Sequence, residues 1–177
     1  MTNILAIDPG LHGALAVLDS RRGRLDIYDM PTTMGKIRQV LNELEIWNLL
    51  SMLADTGLDA AVIEQVNGLP GQSASAAFNF GFGVGLLKMA LVAKGVPVEM
   101  VPPATWKAEM RVNRDKSSAI SRANDLIPSH AHLWGDGAKG DKRTREGRAE
   151  AALLALYQER RIRPKQGMWV RGQRQEG

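Results

Sequence analysis

The sequence predicts an α/β layer fold on a mixed five-stranded sheet. Three observations lead there. Three short apolar runs come first, separated only by polar turns. Two more apolar runs follow, each preceded by a long stretch with helical periodicity. The chain then closes on helices alone.

The elements are read in order. Asn3–Ile7 is an apolar run that ends in Asp8-Pro9-Gly10, a strand leaving into a turn. Gly13–Leu18 and Arg24–Met30 are the next strands, joined by the polar turn Asp19–Gly23, so the first three strands form a meander. Lys36–Leu53 carries Ile37, Val40, Leu41, Leu44, Trp47, Leu50 and Leu53 at helical spacing. Asp59–Glu64 follows that helix and is expected to lie parallel to the first strand. Ser73–Lys94 is a second long helix and Val96–Val101 the fifth strand. Asp115–Leu126 reads as a helix capped at Asp115, and Arg148–Arg161 as the final one. Residues 1–162 form one expected domain. Residues 163–177 form a basic tail with Pro164, Gly167 and Gly172, expected to be flexible or ordered only on a partner.

Composition narrows the function. The 177 residues are 44% apolar and 24% charged, enough for a packed core. The absence of cysteine excludes disulfides, a thiol nucleophile and thiolate metal sites. The apolar stretch Phe82–Ala93 is interrupted by Lys88, and the N-terminus lacks a basic segment before its apolar run. No membrane span and no signal peptide are expected, and the predicted location is cytoplasmic. Residues 1–100 hold 7 Lys/Arg against 10 Asp/Glu, whereas residues 101–177 hold 16 against 9. A basic second half suits a polyanionic partner.

The chemistry is carried by carboxylates. Asp8 and Glu64 both close apolar strands. In open α/β sheets that edge is where ligands bind. Glu146 and Glu150 share one helical face ahead of the apolar run Ala151–Tyr157. Such hard oxygen donors suit Mg²⁺ or Mn²⁺. By contrast, His130 and His132, with only His12 elsewhere, read as a polar loop. Trp106 and Trp134 are candidates for packing or stacking, and Trp169 lies in the tail.

Ile4-Leu5-Ala6-Ile7-Asp8-Pro9-Gly10, Val62-Ile63-Glu64-Gln65-Val66 and the run Gly147–Ala155 resemble the RuvC family of Holliday-junction resolvases. Phe78–Gly81 and Pro103–Lys107 resemble its phage and prophage branch most. The resemblance spans residues 3 to about 160. It implies a ribonuclease-H-like fold with helices on both sheet faces, a homodimer, and Mg²⁺-dependent symmetric nicking of four-way junctions. It implies two ions per site, one activating water and one stabilising the leaving 3′ oxygen. By position, Asp8, Glu64 and Glu150 are implied metal ligands and Asp8 the bridging one. Bacterial members place the fourth ligand where this chain has Gly147; the phage-like pattern points to Glu146, with Asp141 as the fallback. Lys107 and Lys116 match basic positions beside the scissile phosphate. Bacterial relatives carry a stacking aromatic three residues after the strand carboxylate. This chain has Asn67 there, with Phe78 or Phe80 as substitutes.

The expected backbone-contacting cations are Lys107, Arg111, Arg114, Lys116, Lys139, Lys142, Arg143, Arg145 and Arg148. They position DNA but do not read its sequence. The expected partners are branched DNA and a second copy of the chain through Ser73–Lys94, with no membrane and no nucleotide cofactor. Three other readings stay open. One is a broader branched-DNA or flap nuclease. Another is a non-catalytic DNA-binding module of the same fold. The third is an actin-like nucleotide-binding enzyme, suggested by Asp8-Pro9-Gly10 and Gly13, although that class has longer, two-domain chains.

Overall fold

The computed structural model describes residues 2–65, 71–113, 115 and 118–162. Expectations placed on Asn67, Arg114, Lys116, Trp169 and the 163–177 tail fall outside these residues.

A five-stranded sheet organises the chain. β1 (Asn3–Ile7), β2 (Ala14–Asp19) and β3 (Arg24–Asp29) form the antiparallel meander. β6 (Ala60–Glu64) pairs parallel to β1, and β7 (Val98–Val101) parallel to β6. The order is therefore β3-β2-β1-β6-β7, which leaves β1 and β6 adjacent in the sheet interior. The register sets Ile7 opposite Ile63, so Asp8 and Glu64 leave the sheet side by side.

Strand alternation sends the two side-chain sets to different cores. Leu5, Ile7, Leu15, Val17, Ala61 and Ile63 pack with α1 (Glu43–Asp55) and α2 (Ala74–Ala93). Ala6, Ala14, Ala16 and Val62 pack with α3 (Pro103–Glu109), α4 (Ser118–Leu126) and α5 (Lys142–Ile162). Helices thus cover both faces, as expected. The second core is alanine-rich on both sides, Ala6, Ala14 and Ala16 meeting Ala149, Ala151, Ala152 and Ala155. Short side chains let α5 lie close to the sheet. Its outer side is covered in turn by α4, so Ala151–Ala155 is buried all round. Asn42 caps α1 through a hydrogen bond from the Glu45 N–H, and Ser73 caps α2 through one from the Ala76 N–H.

Several expectations are corrected. Lys36–Leu41 is not the start of a helix. It belongs to a hairpin of β4 (Thr32–Met34) and β5 (Gln39–Leu41), with Thr32 opposite Leu41. Apolar residues at 37, 40 and 41 satisfy helical spacing, but Ile37 is 94% exposed and its spacing reports no buried face. The β-branched Thr32, Thr33 and Val40 suit the pleat instead. The last helix begins at Lys142 rather than Arg148, because Asp141 accepts hydrogen bonds from the Thr144 N–H and hydroxyl. α3 and the 3₁₀ turn Pro128–Leu133 had no expected counterpart. α2 is, by length and composition, apolar enough to cross a membrane, contrary to expectation. Here Gly83, Leu87, Ala90 and Leu91 pack it into the fold.

Arg148 is a structural clamp. Its Nε and Nη2 donate to the two Asp29 carboxylate oxygens at 2.6 Å each, and its Nη1 donates to the carbonyls of Leu133 and Lys139. It ties α5 to β3 and to the loop before α5, and all three donor nitrogens are engaged. Arg148→Lys loses the bidentate geometry. We expect about 1.5–3 kcal/mol lower stability, the range for hydrogen bonds to charged groups. Denaturant unfolding measures it, and a change below about 0.5 kcal/mol, the surface-substitution range, would contradict the clamp.

Candidate active site

Three carboxylates from three segments converge at one end of the sheet. Asp8 follows β1, Glu64 ends β6, and Glu150 lies three residues past Gly147 on α5. One oxygen from each lies within 4.8 Å of the others. Glu64 is buried, while Asp8 and Glu150 are partly buried.

Two glycines permit this convergence. A Cβ on Gly13 would lie 2.0 Å from the Asp8 carbonyl oxygen. A Cβ on Gly147 would lie 2.2 Å from the His12 carbonyl oxygen. The backbone of α5 therefore rests directly on the β1–β2 turn, which delivers Glu150 to Asp8. Gly147 also occupies the position where the bacterial pattern puts an acid, and there is no room for one.

α3 supplies the cluster's other groups. Trp106, fully buried, donates its indole N–H to Glu64 Oε1 at 3.0 Å. Lys107 donates to Glu150 Oε1 at 2.8 Å and stands 3.8 Å from Glu64 Oε1. Its ammonium also lies 5.1 Å from the Trp106 ring centroid. The sequence reading found Lys107 but missed Trp106 as the partner of Glu64. The prolines Pro102-Pro103, which suit a helix N-terminus, were the available signal.

The electrostatics follow from burial and crowding. Removal from water raises the Asp8 pKa well above its ordinary value, and the Glu150 and Glu64 charges add to it. Burial likewise raises Glu64, despite the opposing Lys107 charge and the Trp106 hydrogen bond. Burial works against the Lys107 ammonium, but Glu150, Glu64 and Asp8 outweigh it and raise its pKa.

The donor chemistry fits a divalent cation. An ion bonded to oxygen at about 2.0–2.5 Å holds its ligand atoms no more than about 5 Å apart. The three carboxylates already meet that limit, and the Lys107 ammonium stands among them as a cation. Glu146, one turn before Glu150, has Oε1 buried without a hydrogen-bond partner, and Lys142 Nζ stays 3.8 Å away. It is not part of the three-carboxylate cluster. Asp141 is outside the cluster too, its carboxylate occupied in capping α5.

The other candidates divide. Arg111, Lys139, Lys142 and Arg143 are exposed. Arg145 donates to the Gly135 carbonyl and lies 3.5 Å from Asp136, and Arg148 is the clamp described above. Phe78 is 72% exposed on α2, whereas Phe80 is half-buried. His130 and His132 sit in the 3₁₀ turn, outside the metal-type cluster among the described residues. Trp134 is core, its N–H donated to Asn124.

No protein-family model and no curated protein matches the sequence. Solved structures do match. Thermus thermophilus RuvC in complex with Holliday junction substrate superposes with a TM-score of 0.62 at 16% identity, over 92% of this chain and 97% of that one. The fold is that of RuvC. A further Thermus thermophilus RuvC structure gives 0.57 at 17% identity, covering 90% of this chain and 96% of that one. The yeast mitochondrial Holliday junction resolvase Ydc2 gives 0.55 at 13% identity, over 88% of this chain and 77% of that one. The RuvC-like frame explains why the acids meet: β1 and β6 are neighbours, and α5 crosses their active end.

Trp106→Phe keeps the bulk and removes the indole donor. Loss of a group that orients a metal ligand commonly costs about 10–100-fold in affinity or activity. We expect that loss in cleavage with an unchanged fold, read from turnover and circular dichroism together. Wild-type turnover would show that the Trp106–Glu64 hydrogen bond orients nothing.

Proposed function

We propose that this chain is a structure-selective endodeoxyribonuclease that resolves four-way DNA junctions by symmetric, metal-dependent nicking. The supporting observation is the Asp8–Glu64–Glu150 cluster on a RuvC-like frame. Asp8, Glu64 and Glu150 would hold Mg²⁺ or Mn²⁺, two per site, with Glu146 as fourth donor through its unpartnered oxygen. When bound, such ions lower the pKa of water and stabilise the leaving oxygen in an in-line displacement. Asp8 lies between the other two acids in chemical role, exposed to both of their charges. Lys107 balances the acids in the metal-free protein, and with substrate present its ammonium faces the phosphate at the same place. Arg111, Lys139, Lys142 and Arg143, with Arg114 and Lys116, would hold the backbone of the arms.

Symmetric cutting calls for two sites related by a two-fold axis. The exposed stripe Phe78, Phe82, Met89 and Val92 on α2 would join two copies, and Gly81 and Gly85, open on their Cβ side, would let two helices approach closely.

The test is a panel of four-way junction, fork, flap and linear duplex, each with Mg²⁺, Mn²⁺, Ca²⁺ or chelator. Mg²⁺ and Mn²⁺ should support cutting of the junction. Ca²⁺ should support binding without turnover, because its larger and looser shell misplaces water and leaving group. Full activity in excess chelator would overturn the metal reading. Equal cutting of flap and junction would replace it with a broader branched-DNA nuclease.

A further inference from the structure

A cavity of about 500 Å³ lies beside the carboxylates, between the β4–β5 hairpin, the turn after β1 and the first half of α2. This is within the roughly 300–1,000 Å³ of small-ligand sites. We propose that it is a nucleobase-binding subsite, taking one unpaired base of the strand held at the carboxylates. The inference rests on the nuclease reading above for the position of that strand.

Three features carry it. The first is continuity with the site. Pro9, Gly10 and Leu11 line the cavity and directly follow Asp8. One residue spans at most about 3.6 Å, so the wall begins within a nucleotide's reach of the cluster. The second is the lining. Phe80 and Phe82 offer aromatic surface, and Gln39 and Asn79 bring amides to it. The Asn79 amide nitrogen donates to the Ser75 carbonyl at 2.7 Å, which leaves its oxygen for the edge of a base. Aromatic faces with a few amides are the recurring means of holding an unstacked base. The third is charge. Arg38 lines the cavity and Lys36 lies two residues before it on the hairpin, so the rim suits the phosphates on either side of the base.

The cavity is built into the fold. A Cβ on Gly83 would lie 2.6 Å from Leu41 Cδ1, so helix and hairpin touch there. The space opens N-terminal to that contact, between Ala76, Asn79 and Phe80 on α2 and Arg38–Val40 on β5.

The experiment pairs an abasic substrate with a filled cavity. Four-way junctions carrying a single abasic residue at each nucleotide flanking the cut are bound in Ca²⁺ by the wild-type chain and by Val84→Trp. Ala76→Leu serves if Val84→Trp fails to fold. We expect wild type to bind one abasic junction about tenfold more weakly than the intact one, the scale of one stacked base. Val84→Trp should lose about the same on the intact junction and be indifferent to that abasic position. Equal abasic sensitivity in both proteins, or none in wild type, overturns the subsite. So does a change of sedimenting mass in the filled variant, because the cavity would then belong to an interface between copies. A chain that shows the abasic effect but cuts nothing in the panel refutes only the nuclease reading.

Discussion

Asp8→Asn is expected to lower junction cleavage by at least about 10³-fold while leaving junction binding intact and stabilising the metal-free protein. The first effect follows because the change removes a charged donor from the ion site, where several kcal/mol of transition-state stabilisation reside, and each 1.36 kcal/mol is about tenfold in rate. The second follows because one negative charge fewer faces the phosphates. The third follows from the raised Asp8 pKa. A carboxylate whose pKa is raised by folding binds its proton more tightly in the native state than in the unfolded one. Native stability therefore falls as pH rises from the ordinary carboxylate range, about pH 4, through the raised value. The wild-type melting temperature without divalent ions should decline over that window, and the decline should be smaller in Asp8→Asn. Mg²⁺ should raise the wild-type melting temperature and affect the variant much less. Glu64→Gln and Glu150→Gln should also lose cleavage. If all three variants cut like wild type, the cluster is not catalytic.

Gly147→Ala should destabilise the protein and reduce cleavage together. On propensity alone the change favours the helix by up to about 1 kcal/mol. Against that, the new methyl would sit 2.2 Å from the His12 carbonyl oxygen, a backbone atom that no side-chain rotation relieves. Overpacking commonly costs about 1–3 kcal/mol and sometimes more, so the steric term wins. Any relief moves α5 away from the β1–β2 turn and carries Glu150 away from Asp8. Denaturant midpoints and turnover should fall in parallel. A variant as stable and active as wild type would show that α5 is not held by this contact.

The acids were legible because their signals are local. Asp8 and Glu64 each punctuate an apolar run, and strand order follows from helix–strand alternation. What was not legible depends on distant partners. Trp106 meets Glu64 across 42 residues and nothing near Trp106 announces it. Arg148, expected on DNA, faces Asp29 across 119 residues, and a cation's sequence neighbours do not reveal what it pairs with. The hairpin was hidden because Ile37, Val40 and Leu41 fit a helical period although Ile37 faces solvent. At Glu146 and Asp141 the four-residue spacing from Glu150 favoured the former. The structure adds the reason against the latter: its side chain holds the start of α5.

The contact between Gly147 and the His12–Gly13 turn also bears on how such a chain can diverge. Packing through side chains tolerates drift, since one residue can shrink as its neighbour grows. Where two backbones touch, no compensating pair of substitutions exists, and the spacing behaves as a fixed dimension inherited whole. At 16% identity to the Thermus protein, most of this chain has been rewritten around an unchanged sheet and final helix. A clearance set by bare backbone lets the surrounding residues turn over while the distance from the first strand to the last helix stays constant. It also limits where acids can enter. On this helix a carboxylate can be gained one turn before Glu150, at Glu146, but not at position 147 between them.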